Sequence, residues 1–157
     1  MPREAYFDVS TLDPSKVVAD RAAIYAVNPH RYEFEMLDGI LHLDVPTLII
    51  AGYRDVRADE FWVRCHIPGR PLFPGVLMIE TAAQLVSYFV MSQRPGHGFM
   101  GFGGVTDVKF RGTVVPGDRL FMVGKVLDYR PRRCIAATQG FVNGALVFEG
   151  TITGLWI

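Results

Sequence analysis

The rhythm of hydrophobic and polar positions changes several times along the chain, and each change predicts an element. In LDPSKVVADRAAIYAVNPH (residues 12–30) apolar residues recur at helical intervals behind Asp13, a suitable N-cap, and Pro14, a suitable first helical residue. This pattern predicts a helix over 14–27 that stops before Pro29. From Glu33 to Val63 the chain turns aliphatic and strand-like, with turn signals at Asp38-Gly39 and at Asp44 to Pro46. Residues 75–92 predict a second, longer helix. After the turn SQRPGHG, four runs read as strands: FMGFGGVTDVKF, RLFMVGKVLDY, RCIAATQGFV and ALVFEGTITGLWI. Pro116-Gly117-Asp118, Arg130-Pro131 and Asn143-Gly144 separate the last four as tight turns.

Successive strands joined by short turns, with one dominant helix, predict an α+β fold containing an antiparallel meander. The second helix is apolar almost all round, whereas a surface helix carries a single apolar stripe. A sheet must therefore wrap it. A long buried helix rolled inside a curved antiparallel sheet is the hot-dog arrangement, and such sheets pair with a second copy, so at least a dimer is expected.

Length and composition narrow the field further. A chain of 157 residues is sized for one domain with a real core. With 16 basic and 16 acidic residues the formal charge is zero, which argues against bulk binding to nucleic acid or membrane. Cys65 and Cys134 are too few for a disulfide framework, and no Cys/His spacing matches a zinc site. Cys65 is expected to be a small buried core residue. The N-terminus lacks an export signal, and the apolar helix is interrupted by Glu80 and Gln84, so a cytoplasmic protein is expected.

Those two interruptions carry the chemistry. Glu80, Gln84 and Ser87 fall at i, i+4 and i+7, a polar line on one face of the helix. Burial is expected to raise the Glu80 pKa, and the Gln84 amide is placed to hold the carboxyl. His66 precedes a loop stiffened by Pro68, Pro71 and Pro74 that runs straight into the same helix. A rigidly placed base near neutral pH beside an acid of different pKa is a proton-transfer pair. At the helix start, the N–H groups of Gly75, Val76 and Leu77 lack intrahelical partners and can receive a carbonyl oxygen. Base, acid and carbonyl cradle within this span suggest proton abstraction beside a carbonyl with loss of a β-substituent, a dehydration. His30 is read as structural, His42 as facing solvent, and His97 as part of a Gly/Pro turn.

The stretch HIPGRPLFPGVLMIETAAQ resembles the 3-hydroxyacyl-[acyl-carrier-protein] dehydratases, a hot-dog family. It is similar to their His-Phe-Pro-Gly-x-Pro-x-x-Pro-Gly-Val-Leu signature followed by Glu and Ala-Gln. PHRYEF (29–34) and VKFRGTVVPGD (108–118) resemble two further family segments. The resemblance runs over residues 29–157, leaving 1–28 as an N-terminal extension with its helix. It implies that His66 removes the α-proton of a 3-hydroxyacyl thioester and Glu80 protonates the departing hydroxyl. It also implies that the Gly75 N–H holds the thioester carbonyl, with Val76 beside it, and that Gln84 orients Glu80. Base and acid would come from different subunits of a homodimer, or of a larger assembly of dimers. No metal or cofactor is implied. The substrate would be carried by acyl carrier protein or coenzyme A, and Arg94, Arg111, Arg132 and Arg133 are candidates to meet the carrier's acidic surface or a phosphate.

The chain also departs from this pattern. Cys65 stands where glycine is usual, Ile67 where Phe is usual, Glu33 where Pro is usual, and Phe61-Trp62 where the pattern has Pro-Phe. The Cys-His pair and GVTDVKFRG look more like the sister dehydratase/isomerases, yet those carry aspartate where this chain has Glu80. Two other classes stay open from the residues alone: a non-catalytic acyl-thioester-binding protein and a hot-dog thioesterase.

Overall fold

The computed structural model describes residues 3–157. Seven strands form one antiparallel sheet: β1 (Ala19–Asp20), β2 (Gly39–Asp44), β3 (Ile49–Asp55), β4 (Met100–Phe110), β5 (Arg119–Arg130), β6 (Arg133–Val142) and β7 (Ala145–Trp156). Their spatial order is β1-β2-β3-β5-β6-β7-β4. Three helices accompany them: α1 (Arg21–Val27), α2 (Phe61–Cys65) and α3 (Gly75–Met91). The sheet curls around α3, which packs against β3, β4, β5, β6 and β7. This is the expected hot-dog, α+β fold.

The meander follows the predicted lines. β6 and β7 are joined by Asn143 and Gly144 at φ of 48° and 77°. Both values are positive, as a two-residue turn of this twist requires. Leu85, Phe89 and Val90 of α3 are fully buried against Leu120, Met122, Phe148 and Ile152 of the sheet.

Two expectations need correction. The first helix is shorter than 14–27, because Val18 is drawn into the sheet and its N–H donates to the Ile40 carbonyl (2.8 Å). Ala19 and Asp20 then pair with Ile40 and Gly39. Asp20, not Asp13, is the N-cap, accepting from the Ala23 N–H (2.9 Å), while Asp13 closes a local turn with Ser15. β-Branched Val17-Val18 suits an extended chain better than a helix. Secondly, the run up to Val63 is not strand throughout. Residues 61–65 form α2, whose Trp62 is 1% exposed and meets Phe73 edge-on at 5.5 Å.

The segment ahead of residue 29 belongs to the body of the protein. Ile24 and Tyr25 of α1 lie in the same core as α3. Farther upstream, Tyr6, Phe7, Val9 and Leu12 cover Ala51, Val123 and Phe141 on the opposite face of the sheet. Gln139 clamps this strap, accepting from the Tyr6 N–H (2.9 Å) and donating to the Glu4 carbonyl (3.1 Å). The strap also shields His42, which stacks on Phe7 at 4.4 Å and is half-buried instead of facing solvent. At the other side of the sheet, β4 is an edge strand whose Phe102 and Phe110 are 54% and 52% exposed.

Candidate active site

His66 caps the C-terminus of α2, its N–H bonded to the Trp62 carbonyl (2.7 Å). The chain then turns sharply through Ile67 (φ 56°) and Gly69 (φ 81°). Glycine accepts that conformation freely, but a β-branched residue there carries strain on the order of 1–3 kcal/mol. Phe73 anchors the loop through its N–H to the Val114 carbonyl (2.7 Å). The His66 ring is oriented by a 2.9 Å contact between Nδ1 and the Leu72 carbonyl. A carbonyl only accepts, so Nδ1 carries the proton and Nε2 keeps its lone pair. This is the tautomer a base needs.

The loop delivers Gly75 as the first residue of α3. A β-carbon there would lie 2.8 Å from the Phe110 ring, so a larger residue would displace this half-exposed phenyl group, which glycine leaves seated over the helix start. Among the described residues the N–H groups of Gly75 and Val76 donate to no carbonyl, whereas that of Leu77 is taken by Pro74 (2.9 Å). The carbonyl cradle is therefore two donors, not three. His66, Gly75, Val76 and Phe110 line an open cleft of about 360 Å³.

Glu80 comes five residues later, roughly 140° farther round the helix. It lines a different cavity of about 120 Å³ with His30, Gln84, Ser87, Phe102 and Thr153. One chain thus brings His66 to Gly75 and Val76, and Glu80 to Gln84, but does not place His66 and Glu80 in one cavity.

The carboxyl of Glu80 is held at one oxygen. Oε1 accepts from Gln84 Nε2 (2.8 Å) and lies 3.3 Å from His30 Nε2. Gln84 is fully buried, and every polar atom of its amide is used. Its Oε1 accepts from the Tyr25 hydroxyl (2.8 Å) and the Met36 N–H (3.0 Å). Its Nε2 donates to Glu80 and to the Phe34 carbonyl (2.8 Å). The Met36 N–H can only donate, so the orientation of the amide follows from chemistry. Tyr25 in turn accepts from the Leu37 N–H (2.8 Å). Burial pushes its phenol well above the ordinary range, so it remains a protonated donor at any working pH.

The Glu80 pKa does not move as expected. Burial pushes it up, but the hydrogen bonds from His30 and Gln84 outweigh burial and hold it below the ordinary carboxylate value. Donors aimed at the carboxylate, absent from a count of apolar neighbours, decide the direction. His30, read from the sequence as structural, and Tyr25, in the unmatched N-terminal region, are the site residues that sequence reasoning missed. His30 had one signal, its place in PHRYEF; Tyr25 had none.

Other expectations sort simply. Cys65 is exposed, not buried, its thiol 3.4 Å from the Phe61 carbonyl at the end of α2. Cys134 is buried, and burial pushes its thiol up to about 12, which makes it inert. Arg111 is tied to Glu149 (2.9 Å), Arg133 to Asp128 (2.8 Å), and Arg94 stacks over Tyr129, so Arg132 is the least engaged of the four candidates. Among the described residues no His/Cys/Asp/Glu group has metal-site geometry, and no helix is long and apolar enough to cross a membrane.

Comparison with known proteins places this geometry in context. A FabA-like domain matches residues 28–151. The 3-hydroxyacyl-[acyl-carrier-protein] dehydratase FabZ of Fusobacterium nucleatum is 39% identical over 126 residues, covering 80% of this chain and 88% of its own. FabZ of Sorangium cellulosum is 35% identical over 137 residues, covering 85% and 88%. Among solved structures, the dehydratase heterocomplex ApeI:P from Xenorhabdus doucetiae shares the fold with a TM-score of 0.74 at 14% identity, covering 85% of this chain and 90% of that one.

Proposed function

We propose that this chain, which belongs to the FabA-like family of 3-hydroxyacyl-[acyl-carrier-protein] dehydratases, dehydrates its substrate with His66 as base and Glu80 as acid. The reaction converts a 3-hydroxyacyl thioester to a trans-2-enoyl thioester in fatty-acid synthesis. Each catalytic centre is built from two copies of the chain. The observation that carries this reading is the division of labour along α3: a free His66 Nε2 beside unpaired Gly75 and Val76 N–H groups in one cavity, and a clamped carboxyl in another.

The steps follow from the groups present. His66 Nε2 takes the α-proton, and the electron pair of that C–H bond moves toward the thioester carbonyl. Negative charge gathering on the carbonyl oxygen is met by the N–H groups of Gly75 and Val76, reinforced by the N-terminal field of α3. The pair returns to form the C=C bond as the C–O bond at the β-carbon breaks. Glu80 gives its proton to the leaving hydroxyl, which departs as water. His66 ends protonated and Glu80 ionised, and proton exchange resets both. An acid must start with its proton on. Seating the acyl chain and the second copy removes more water from Glu80, which strengthens the upward push of burial against its hydrogen bonds.

Edge strand β4 supports the pairing of copies. It borders both cavities, through Phe102 and Phe110, and presents these two phenyl rings to solvent. Acyl carrier protein is the proposed donor of the thioester. Both cysteines are free, which suits the reducing cytoplasm where we place the enzyme.

The test is mass spectrometry of 3-hydroxydecanoyl thioester offered on acyl carrier protein and on coenzyme A. Loss of one water is expected with the intact protein, faster on the carrier protein. His66→Ala and Glu80→Gln should each lower the rate by at least about 100-fold, with unchanged melting behaviour. Near-normal turnover by either variant overturns the acid–base assignment. Release of free thiol in place of water loss would make the reaction a hydrolysis.

A further inference from the structure

His30 and Glu80 come from segments fifty residues apart, yet their side chains meet at 3.3 Å and are both about three-quarters buried, with 21% and 24% exposure. Two donors, His30 Nε2 and Gln84 Nε2, converge on the same oxygen, Glu80 Oε1. Oε2 accepts no hydrogen bond from the described residues. The other ring nitrogen, His30 Nδ1, is buried without a partner. A proton there would be a buried N–H lacking an acceptor, which costs about 1–3 kcal/mol in general, so the ring proton resides on Nε2 and faces Glu80. An oxygen that accepts two N–H groups has no room for a proton of its own.

We propose that His30 is a second positioning residue for the acid: with Gln84 it clamps Glu80 Oε1, confining the transferable proton to Oε2. This rests on the dehydratase assignment and adds to it a residue that no part of the catalytic scheme requires by itself. The clamp does two things. It stops the carboxyl from rotating, so that one defined oxygen meets the hydroxyl. It also sets how readily the acid loses its proton, because each donor to Oε1 stabilises the ionised form. Around Glu80, α3 presents Gln84 and Ser87, β4 presents Phe102, and β7 presents Ile152 and Thr153. Of the residues lining that cavity besides Glu80, only His30 has an ionisable side chain, and on the proposed assembly the second copy adds the His66 ring.

His30→Ala and His30→Gln separate positioning from mere packing, since glutamine places a neutral N–H donor where Nε2 was. In His30→Ala the kcat is expected to fall about 10- to 100-fold, with KM changed less than about threefold. At the same time the alkaline limb of kcat should move to higher pH, because burial is then opposed by one donor fewer. His30→Gln should recover most of the rate and return the limb toward its wild-type position. His30→Leu fills the volume without a donor and should behave as the alanine variant does, which serves if alanine unfolds the loop. Carboxyl ¹³C NMR of Glu80 provides a readout independent of turnover: its titration should move up in the alanine and leucine variants and stay near wild type in the glutamine variant.

Wild-type rates and an unshifted Glu80 titration in His30→Leu would overturn the proposal. So would a folded glutamine variant as impaired as leucine. Failure of the dehydratase assignment would look different: the intact enzyme would release no water, while the Glu80 titration would still answer to His30.

Discussion

A fully buried amide can orient a catalytic group only if its own four hydrogen-bonding positions are occupied, and Gln84 meets that condition through Tyr25, Met36, Phe34 and Glu80. Tyr25 is the outermost side chain of this chain of contacts. Tyr25→Phe removes the hydroxyl that serves both the Leu37 N–H and Gln84 Oε1. One buried N–H is left unpaired and the amide loses one of its two fixed donors. A stability loss of about 1–3 kcal/mol is expected from denaturant midpoints, together with a several-fold drop in kcat. Unchanged kcat in the variant would show that Met36 alone holds the amide. At this scale His66, Glu80 and Gln84 were legible as candidates because a base-capable ring, a carboxyl and an amide one helical turn from it suit proton transfer. His30 and Tyr25 were not, because a lone histidine and a helical tyrosine say nothing of what they touch.

Elements differ in how much of themselves they declare. The three long strands β5, β6 and β7 carry long apolar, buried stretches, and positive-φ residues mark the turn before β5 (Gly117) and the turn from β6 to β7 (Asn143, Gly144); both signals are local. α3 is announced by an apolar stretch of helical length, interrupted by a polar line at Glu80, Gln84 and Ser87. α1 begins late because its upstream residues are recruited by β2, a partner about twenty positions away. The strap over residues 4–12 has no periodicity to read, yet it closes a second small core with Ala51, Val123 and Phe141. Deleting residues 1–12 uncovers this face and is expected to cost about 2–4 kcal/mol. kcat should hold, since the strap lies on the side of the sheet away from α3. Loss of activity in a folded truncation would show that the strap shapes the site as well.

For the whole molecule, the consequence of separate cavities is stoichiometric. His66→Ala and Glu80→Gln chains are each inactive by the proposed scheme, but a mixed dimer regains one complete site of two. After subunit exchange, random mixing at equal concentration forms mixed dimers as about half the population, so activity should recover to about a quarter of wild type. Native mass spectrometry verifies the exchange, and the water-loss assay reads the recovery. No recovery once exchange is demonstrated would mean that base and acid meet within one chain.

Sequence alone determined the class of fold and the extent of the meander, and it singled out His66, Gly75 and Glu80 as the candidate site residues. Those are consequences of local pattern: turn chemistry, apolar periodicity, and residue types whose reactivity travels with them. Only the tertiary structure decided the direction of the Glu80 pKa, the proton-bearing nitrogen of His66, the reach of Tyr25 and His30, and the separation of His66 from Glu80 around α3. Each of these depends on which donor arrives from a distant segment and on how a 3.6-residue helical turn distributes neighbours between two faces. A linear pattern does not contain either quantity; a folded sheet wrapped around one helix supplies both.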